Sequence, residues 1–410
     1  MSISPAEAQA RPISWRNIIS ASLLIGGTSI GAGMLGIPLV SAQAGFLPAF
    51  VITFLVWIFM YSTGILFLEA TLWMHKGANV LSMAERFLGK HGKILSGSIF
   101  IFLYYCLMVA YFAAGAPMLG DVFSRILGIP IVGWHSYAFF GVVFALLIAA
   151  GLKVIDRLNY ILMIGLFVAY FALIGAGSDM VSFNRLIPSS WGKMTLAAPM
   201  LFSAFGYHNI VPPLTFHYKE NAKEMRWAIL IGSLIPFVVY SLWQWMIIGG
   251  VPQDNIFSAF QEGAAITQTL ETMTGYRWLP KISQVFGLFA IITSMLGVAY
   301  SVFDFLNDGL KIKNSVYKKV FLCLLTFVPP FVMTIINPSI FVVAIGIAGG
   351  FGEAFLNGLL PIWLVWVGRY IHKLESKPLL NGGKKALVFL FLFGAFVFFL
   401  EIYILLFGQS

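Results

Sequence analysis

Long runs without charged side chains are the feature that most limits how this chain can fold. Residues 17–68 contain no Asp, Glu, Lys or Arg, and this run is long enough for two membrane-spanning helices of about 20 residues each. The sequence QAGFLP at 43–48 is the natural turn between them. Further charge-poor runs follow at 94–120, 126–152, 158–178, 194–218, 227–253, 282–303, 320–368 and 386–407.

The run at 320–368 is long enough for two spans, and Asn337-Pro338 divides it. The sequence therefore predicts an all-α integral membrane protein with 11 transmembrane helices. A composition of 60% hydrophobic and only 10% charged residues agrees with this. Numbered in chain order, the predicted spans 1 to 11 cover about 17–42, 46–74, 94–118, 134–153, 157–177, 194–218, 226–250, 281–306, 318–336, 339–370 and 386–407.

The distribution of Lys and Arg predicts how the chain is oriented in the membrane. Cytoplasmic loops of membrane proteins carry an excess of these residues. With a cytoplasmic tail at 1–16, twenty of the 25 Lys and Arg residues lie on the inner side and the C-terminus lies outside. The remaining five are Arg125, Arg185, Lys193, Arg277 and Lys281. This bias accounts for the net charge of +9, so we expect no nucleic-acid partner.

Two spans carry matching interruptions. Span 1 contains Gly33 followed by Pro38, and span 6 contains Gly206 followed by Pro212. These spans open two units of five, 17–177 and 194–370, and an odd number of spans per unit forces the units into opposite orientations. An inverted repeat with a broken first helix in each unit is typical of the binding site of secondary transporters. Residues 386–407 then form an accessory helix.

The break in span 1 predicts a site for an anionic group. Gly27, Gly31, Gly33 and Gly36 lower helix propensity, and Pro38 lacks a backbone donor. In hydrocarbon an unwound segment is stable only where it lines a polar cavity. There the amides of residues 30–33 can bind a carboxylate, helped by the positive end of the outer half-helix. The alternative is that the glycines only allow close packing of helices.

The break in span 6 predicts the complementary chemistry. Carbonyl groups freed between Phe202 and Phe205 can accept from an ammonium group, and the rings of Phe202, Phe205 and Tyr207 can form aromatic walls. His208 is a candidate for proton coupling because it titrates near physiological pH. A neutral histidine bonded to backbone, and aromatic rings that only pack, are the alternatives.

Other polar residues at membrane depth are candidates for binding the coupling ion. Thr293 and Ser294 in span 8, with carbonyls near Gly27 and Ile30, can form an oxygen cage for a small cation; more often such hydroxyls bond the preceding turn. A carboxylate at this depth in the membrane is costly, so Glu353 in span 10 is expected to be functional. It can relay a proton or pair with His208. A structural hydrogen bond inside the bundle is the alternative.

Several motifs carry a family resemblance. The stretches GTSIGAGMLGIPL (27–39), SAFGYHNIVPPL (203–214), RWAILIGSLIPFVVYSLWQ (226–244) and TSMLGVAYSVFDFL (293–306) resemble the bacterial hydroxy/aromatic amino acid permeases, above all those specific for tyrosine, within the amino acid/polyamine/organocation superfamily. The likeness covers spans 1–10. It implies an eleven-helix carrier of the leucine-transporter type in the bacterial inner membrane that imports an aromatic amino acid with protons by alternating access.

The resemblance and the two breaks together define the expected site. The substrate-binding residues are Thr28, Ser29, Ile30, Gly31, Ala32, Gly33, Tyr105, Tyr111, Phe202, Ser203, Phe205, Gly206 and Tyr207. The candidates for binding the coupling ion are His208, Glu353, Gly27, Thr293 and Ser294. Tyr207 departs from the family pattern, in which a phenylalanine is expected, and its hydroxyl can alter side-chain selection.

The expected partners are an amino acid and the lipid bilayer, with no obligate protein partner, no cofactor and no metal. The coupling ion is the proton, with sodium as the alternative. A sodium-coupled carrier of a neutral or hydroxy amino acid, and a tryptophan or phenylalanine carrier of the same fold, stay open. An enzyme is not expected because no nucleophile–base pair or metal-ligand cluster stands out. The charge-poor spans lack the continuous polar lining that a channel needs.

Overall fold

The computed structural model describes residues 13–218, 221–263, 265–267, 270, 279–310, 316–374 and 378–407. This part of the chain is helical and contains no β-strand. The helices of the first half are α1 (Trp15–Ser29), α2 (Gly33–Ser41), α3 (Phe46–Leu72), α4 (Val80–Leu127), α5 (Trp134–Ala150) and α6 (Leu152–Gly177). Short helical turns at Ser178–Met180, Phe183–Leu186 and Trp191–Ala197 join the two halves.

The second half contains α7 (Ala198–Ala204), α8 (Val211–His217), α9 (Ala222–Gly250), α10 (Gln253–Glu262), α11 (Leu279–Leu310), α12 (Val316–Ile336), α13 (Phe341–Ile371) and α14 (Gly383–Phe407). A single 3-10 turn at His208–Ile210 lies between α7 and α8. The all-helical membrane fold predicted from the sequence is confirmed. The boundaries between the predicted units stay a prediction.

The number of membrane spans depends on how the interrupted helices are counted. Within the described residues, eight helices are long and apolar enough to cross a membrane, or nine if α1 and α2 form one span. Predicted span 4 corresponds to α5, which has 17 residues, and predicted span 6 is divided between α7 and α8, with seven residues each. The predicted count of eleven is therefore not confirmed.

Both predicted helix breaks are present. Between α1 and α2 the axis bends by 60°, and Ile30 leaves the helix with an extended backbone (φ −77°, ψ 106°). Between α7 and α8 the chain is interrupted at 205–210. Proline near the first residue of α7 and of α8 favours a new helix start at each point. Each interrupted span therefore consists of two half-helices that meet inside the bundle.

Helix α13 is not a regular α-helix. Its residues Ala348–Leu359 form a π-helix, in which each amide bonds five residues back. This stretch contains Gly349, Gly350 and Gly352, and it packs against α7. Because π-helical turns change the face on which a side chain lies, the position of Glu353 follows from this irregularity.

Different contacts join the helices at the two ends of the bundle. We call the end at which α1 begins the N-side and the opposite end the far side. On the N-side, Glu69 and Arg369 form a buried ion pair at 2.6 Å, and the amide of Leu379 donates to Glu69 Oε2 at 2.8 Å. On the far side, Ser190 N–H donates to Ala44 O at 2.7 Å, and the Arg185 guanidinium donates to Gly250 O at 2.7 Å.

Candidate functional site

The break between α1 and α2 leaves backbone donors free in the middle of the bundle. The amide of Ala32 donates to Ser294 Oγ at 3.0 Å. The amides of Gly31 and Gly33 donate to no acceptor in the described part of the chain. Unpaired donors at the N-terminal end of a half-helix, here α2, form a site suited to a carboxylate.

Two positions in this break are glycine because neighbouring groups leave little or no space for a side chain. A Cβ on Gly31 would overlap with the Ser294 hydroxyl, the same group that accepts from the amide of Ala32. A Cβ on Gly33 would lie 3.2 Å from the Cα of Ala204, the last residue of α7. The breaks in spans 1 and 6 are therefore in direct contact.

The rings around the second break are packed against neighbouring helices. Phe202 is fully buried and stacks on Phe59 of α3 with ring centroids 5.0 Å apart. Phe205 is also fully buried and lies edge-on to Tyr240 of α9 at 5.1 Å. In this conformation the two rings pack the second break against α3 and α9.

Tyr207 and His208 face α3. The Tyr207 hydroxyl donates to Met60 O at 3.0 Å, and His208 Nε2 lies 3.0 Å from Thr63 Oγ1. The two rings stack with centroids 4.7 Å apart, and His208 Nδ1 is buried without a partner in the described part of the chain. The structure thus separates these two predicted site residues from the free amides of α2.

Glu353 lies against the second break. Its carboxyl group is close enough to Gly206 that a Cβ there would be 2.7 Å from Oε1. Asn357 Nδ2 donates to Oε2, and the side chain is 6% exposed. A buried carboxyl group next to an unwound helix is suited to hold a proton or to face a cation.

Helix α13 also approaches the break one turn earlier. A Cβ on Gly349 would overlap with the Pro199 carbonyl and lie 3.0 Å from the Ser203 amide. The hydroxyl of Ser203 is buried and has no hydrogen-bond partner among the described residues. Ser203 therefore lies at the contact between α7 and α13.

The tyrosines of α4 point to different neighbours. Tyr105 donates to Leu325 O of α12 at 2.8 Å, away from the breaks. Tyr111 is buried and lies near Ser294. The hydroxyl of Tyr104, which is not among the predicted site residues, lies 3.4 Å from Asn209 Nδ2. Tyr104 and Tyr111 thus lie near the breaks, and Tyr105 does not.

The two hydroxyls proposed for a cation cage also make hydrogen bonds within the protein. Thr293 Oγ1 donates within its own helix, to Phe289 O at 2.9 Å and Ala290 O at 3.1 Å. Ser294 accepts from the α2 break. A Cβ on Gly27 would lie 3.3 Å from the Met163 methyl group, so an apolar side chain covers that position.

Polar groups are exposed on the N-side of the breaks. Thr28 and Asn209 are exposed, and Thr28 donates to Leu24 O at 2.8 Å. A Cβ on Gly297 of α11 would meet nothing within 4 Å. Thr28 bonds within its own helix, as hydroxyls in membrane helices commonly do.

The sequence did not single out two other buried polar residues. Tyr240 of α9 lies with its hydroxyl 2.6 Å from Ser29 O and 2.8 Å from Ala204 O. Glu401 of α14 is 3% exposed and packs on Gly350. The rule that a carboxylate inside a span is functional by default would have found Glu401. No sequence signal distinguishes Tyr240 from other aromatic residues.

Comparison with known proteins identifies the family of the chain. The family model of the tryptophan/tyrosine permease family matches residues 15–401. The chain belongs to this family. The permease is 31% identical over 360 residues to the tyrosine-specific transport system 1 of Haemophilus influenzae, covering 86% of this chain and 89% of the relative. It is 28% identical over 405 residues to a tryptophan-specific transport protein of Pseudomonas aeruginosa, covering 96% and 95%.

A solved structure shows the fold. The crystal structure of MhsT in complex with L-phenylalanine matches the permease with a TM-score of 0.58 at 13% sequence identity, over 95% of this chain and 98% of that chain. The leucine-transporter-type fold expected from the sequence is thereby confirmed. The permease is a multi-span membrane protein, and its relatives are transport proteins rather than enzymes, as expected.

Proposed function

We propose that the permease imports an aromatic amino acid, most specifically tyrosine, by symport with protons. Alternating access exposes the two breaks first to one side of the bacterial inner membrane and then to the other. In this proposal the N-side is cytoplasmic and the far side is external, as the distribution of Lys and Arg favours. The observation that carries the proposal is the direct contact of the two breaks, with free donors on one and a carboxyl group on the other.

The free amides of Gly31 and Gly33 suit the carboxylate of an amino acid. The rings of Tyr104 and Tyr111 suit an aromatic side chain, because Tyr104 lies beside Asn209 of the second break and Tyr111 lies near Ser294. The names of the relatives support an aromatic substrate: the first is specific for tyrosine and the second for tryptophan. A relative from Aliivibrio fischeri at 24% identity is named glutamine transporter 2, so the side-chain preference has to be measured.

The coupling ion is proposed to be the proton, and Glu353 is proposed to carry it. Its carboxyl group lies against Gly206, where a change of charge acts directly on the unwound segment. The hydroxyls of Thr293 and Ser294 bond to protein groups, and Met163 covers Gly27. The oxygen lone pairs of these two hydroxyls remain able to bind a cation, so sodium is the alternative ion that the uptake experiment tests.

Uptake into proteoliposomes tests this function. Purified permease is reconstituted, and accumulation of radiolabelled tyrosine is measured under an inward proton gradient or an inward sodium gradient. We expect the proton gradient alone to drive accumulation and a protonophore to abolish it. Accumulation that follows sodium and survives the protonophore would contradict proton coupling.

Competition by the twenty amino acids in the same vesicles tests the substrate. We expect unlabelled tyrosine to compete best, followed by phenylalanine and tryptophan. A stronger effect of tryptophan would assign the chain to the tryptophan carriers of the family. Inhibition by serine, threonine or glutamine alone would refute the aromatic assignment.

A further inference from the structure

Two helix ends meet inside the permease at one hydroxyl group. Helices α1 and α7 both end near the centre of the bundle, at Ser29 and Ala204. The last carbonyls of a helix have no partner within it and carry the negative end of the helix dipole. In a membrane interior such carbonyls need a donor, because no bulk water is present.

Tyr240 supplies that donor to both helix ends. Its hydroxyl lies 2.6 Å from Ser29 O and 2.8 Å from Ala204 O, so one hydrogen is shared between two carbonyls. The side chain is fully buried. Each of these carbonyls lies two residues before a glycine of the proposed site, Gly31 in span 1 and Gly206 in span 6.

The helix that carries Tyr240 is fixed to the rest of the bundle. Near Tyr240, Gln244 Nε2 donates to Thr53 Oγ1 of α3 at 3.0 Å. Nearer the start of α9, a Cβ on Gly232 would lie 2.6 Å from Ile25 Cβ, which shows how closely α1 and α9 approach. Because α9 is held in this way, the Tyr240 hydroxyl can set the distance between the two breaks.

We propose that Tyr240 is a positioning residue of the substrate site: its hydroxyl ties the last carbonyls of α1 and α7 together and so aligns the free amides of α2 with Gly206 and Glu353. This proposal rests on the proposed function, because the aligned groups are those assigned to the substrate and the coupling ion. The shared hydrogen satisfies both helix-end carbonyls at once.

The test compares Tyr240→Phe with Tyr170→Phe. Tyr170 of α6 is a matched control, because it is 2% exposed and its hydroxyl donates to Val239 O of α9 at 2.9 Å. Each variant removes one buried hydroxyl that donates to backbone. The midpoint of thermal unfolding, the Kd for tyrosine and the KM and Vmax of uptake are measured for both variants and for the wild type.

We expect both variants to lose similar thermal stability, and only Tyr240→Phe to raise the Kd and KM for tyrosine, by about 10-fold or more. An equal change of Kd in the two variants would overturn the proposal, because the effect would then be general loss of stability. If the wild type binds no aromatic amino acid, the proposed function fails instead, and the same comparison is made with the amino acid that the competition panel identifies.

A third variant restores the donor and keeps the test open if Tyr240→Phe does not fold. Replacing Tyr240 by p-aminophenylalanine provides two N–H donors, one for each carbonyl. We expect a Kd within about threefold to fivefold of the wild type and clearly lower than that of any folded Tyr240→Phe, because N–H groups are weaker donors than a phenol. A Kd in this variant as high as that in Tyr240→Phe, or a wild-type Kd in both, would contradict the proposal.

Discussion

Both broken spans are divided into two half-helices, but the chemical groups that lie at each break differ. In span 1 the break is lined by small residues, and the amides of Gly31 and Gly33 are free. In span 6 a carboxyl group lies against Gly206, and the following Tyr207 is anchored on α3. One break therefore offers donors for an anion, and the other offers a group that can hold a proton.

This difference separates two tasks that an amino acid symporter must perform. Binding the substrate carboxylate needs fixed donors, which an unwound segment with little side-chain bulk provides. Coupling to a proton needs one titratable group at a place where its charge affects the helix geometry. Variants of each break should therefore fail in different ways.

Gly31→Val is expected to abolish tyrosine binding, with Kd raised at least about 100-fold. A side chain at this position overlaps with the Ser294 hydroxyl, so the hydroxyl must leave the Ala32 amide and the donors of the break move. The Kd is measured on purified protein by equilibrium binding. Gly297→Ala is the control, because a Cβ on Gly297 meets nothing within 4 Å. Normal binding by Gly31→Val would remove the first break from the site.

Glu353→Gln is expected to uncouple transport from the proton gradient. The amide keeps the shape of the side chain but cannot take up a proton, so gradient-driven accumulation of tyrosine should fall about 10-fold or more. Exchange of labelled for unlabelled tyrosine across the membrane should continue, because it needs no net proton movement. Both rates are measured in proteoliposomes.

Glu401→Gln is the matched control for Glu353. Glu401 is also a buried carboxyl group that packs on glycines of α13, but it lies on α14 at Gly346 and Gly350 rather than at the second break. We expect its replacement to leave proton-driven accumulation within about twofold of the wild type. Equal loss in both variants would contradict the assignment of the proton to the second break.

The helical membrane fold and the place of both breaks could be predicted from the sequence, because they depend on local properties. Charge-free runs report burial in lipid, and the glycine and proline residues near 31–38 and 206–213 report where a helix cannot continue. The facing of the side chains could not be predicted. Tyr105 and Tyr111 were expected together, but Tyr105 bonds α12 and Tyr111 lies near Ser294.

Long-range packing explains the residues that sequence reasoning missed. Tyr240 matters because two distant carbonyls converge on it, and nothing within span 7 shows that convergence. The face on which Glu353 lies depends on the π-helix at Ala348–Leu359, which a periodicity of 3.6 residues does not describe. His208 was considered for its chemistry alone, and its direction toward Thr63 follows from the packing of α3.

Adjacent hydroxyls in α11 allow a finer test of the first break. Ser294→Ala removes the acceptor of the Ala32 amide and is expected to raise the Kd for tyrosine about 5- to 10-fold. Thr293→Val should change the Kd less than about twofold, because Thr293 bonds only its own helix. The Kd is measured with and without sodium. A sodium effect lost in both variants would show that the two hydroxyls bind that ion.

Tyr207→Phe is expected to change tyrosine binding least, and it tests whether the substrate site extends beyond Gly206. The Tyr207 hydroxyl donates to Met60 O and touches Gly64, where a Cβ would overlap with it. Its removal should lower the free energy of unfolding by about 1 kcal/mol and leave the Kd for tyrosine and the preference over phenylalanine unchanged. Thermal unfolding and competition binding measure the two effects. Because the hydroxyl is directed at α3, a changed preference with unchanged stability would mean that Tyr207 turns toward the substrate during transport, and the site would then extend beyond Gly206.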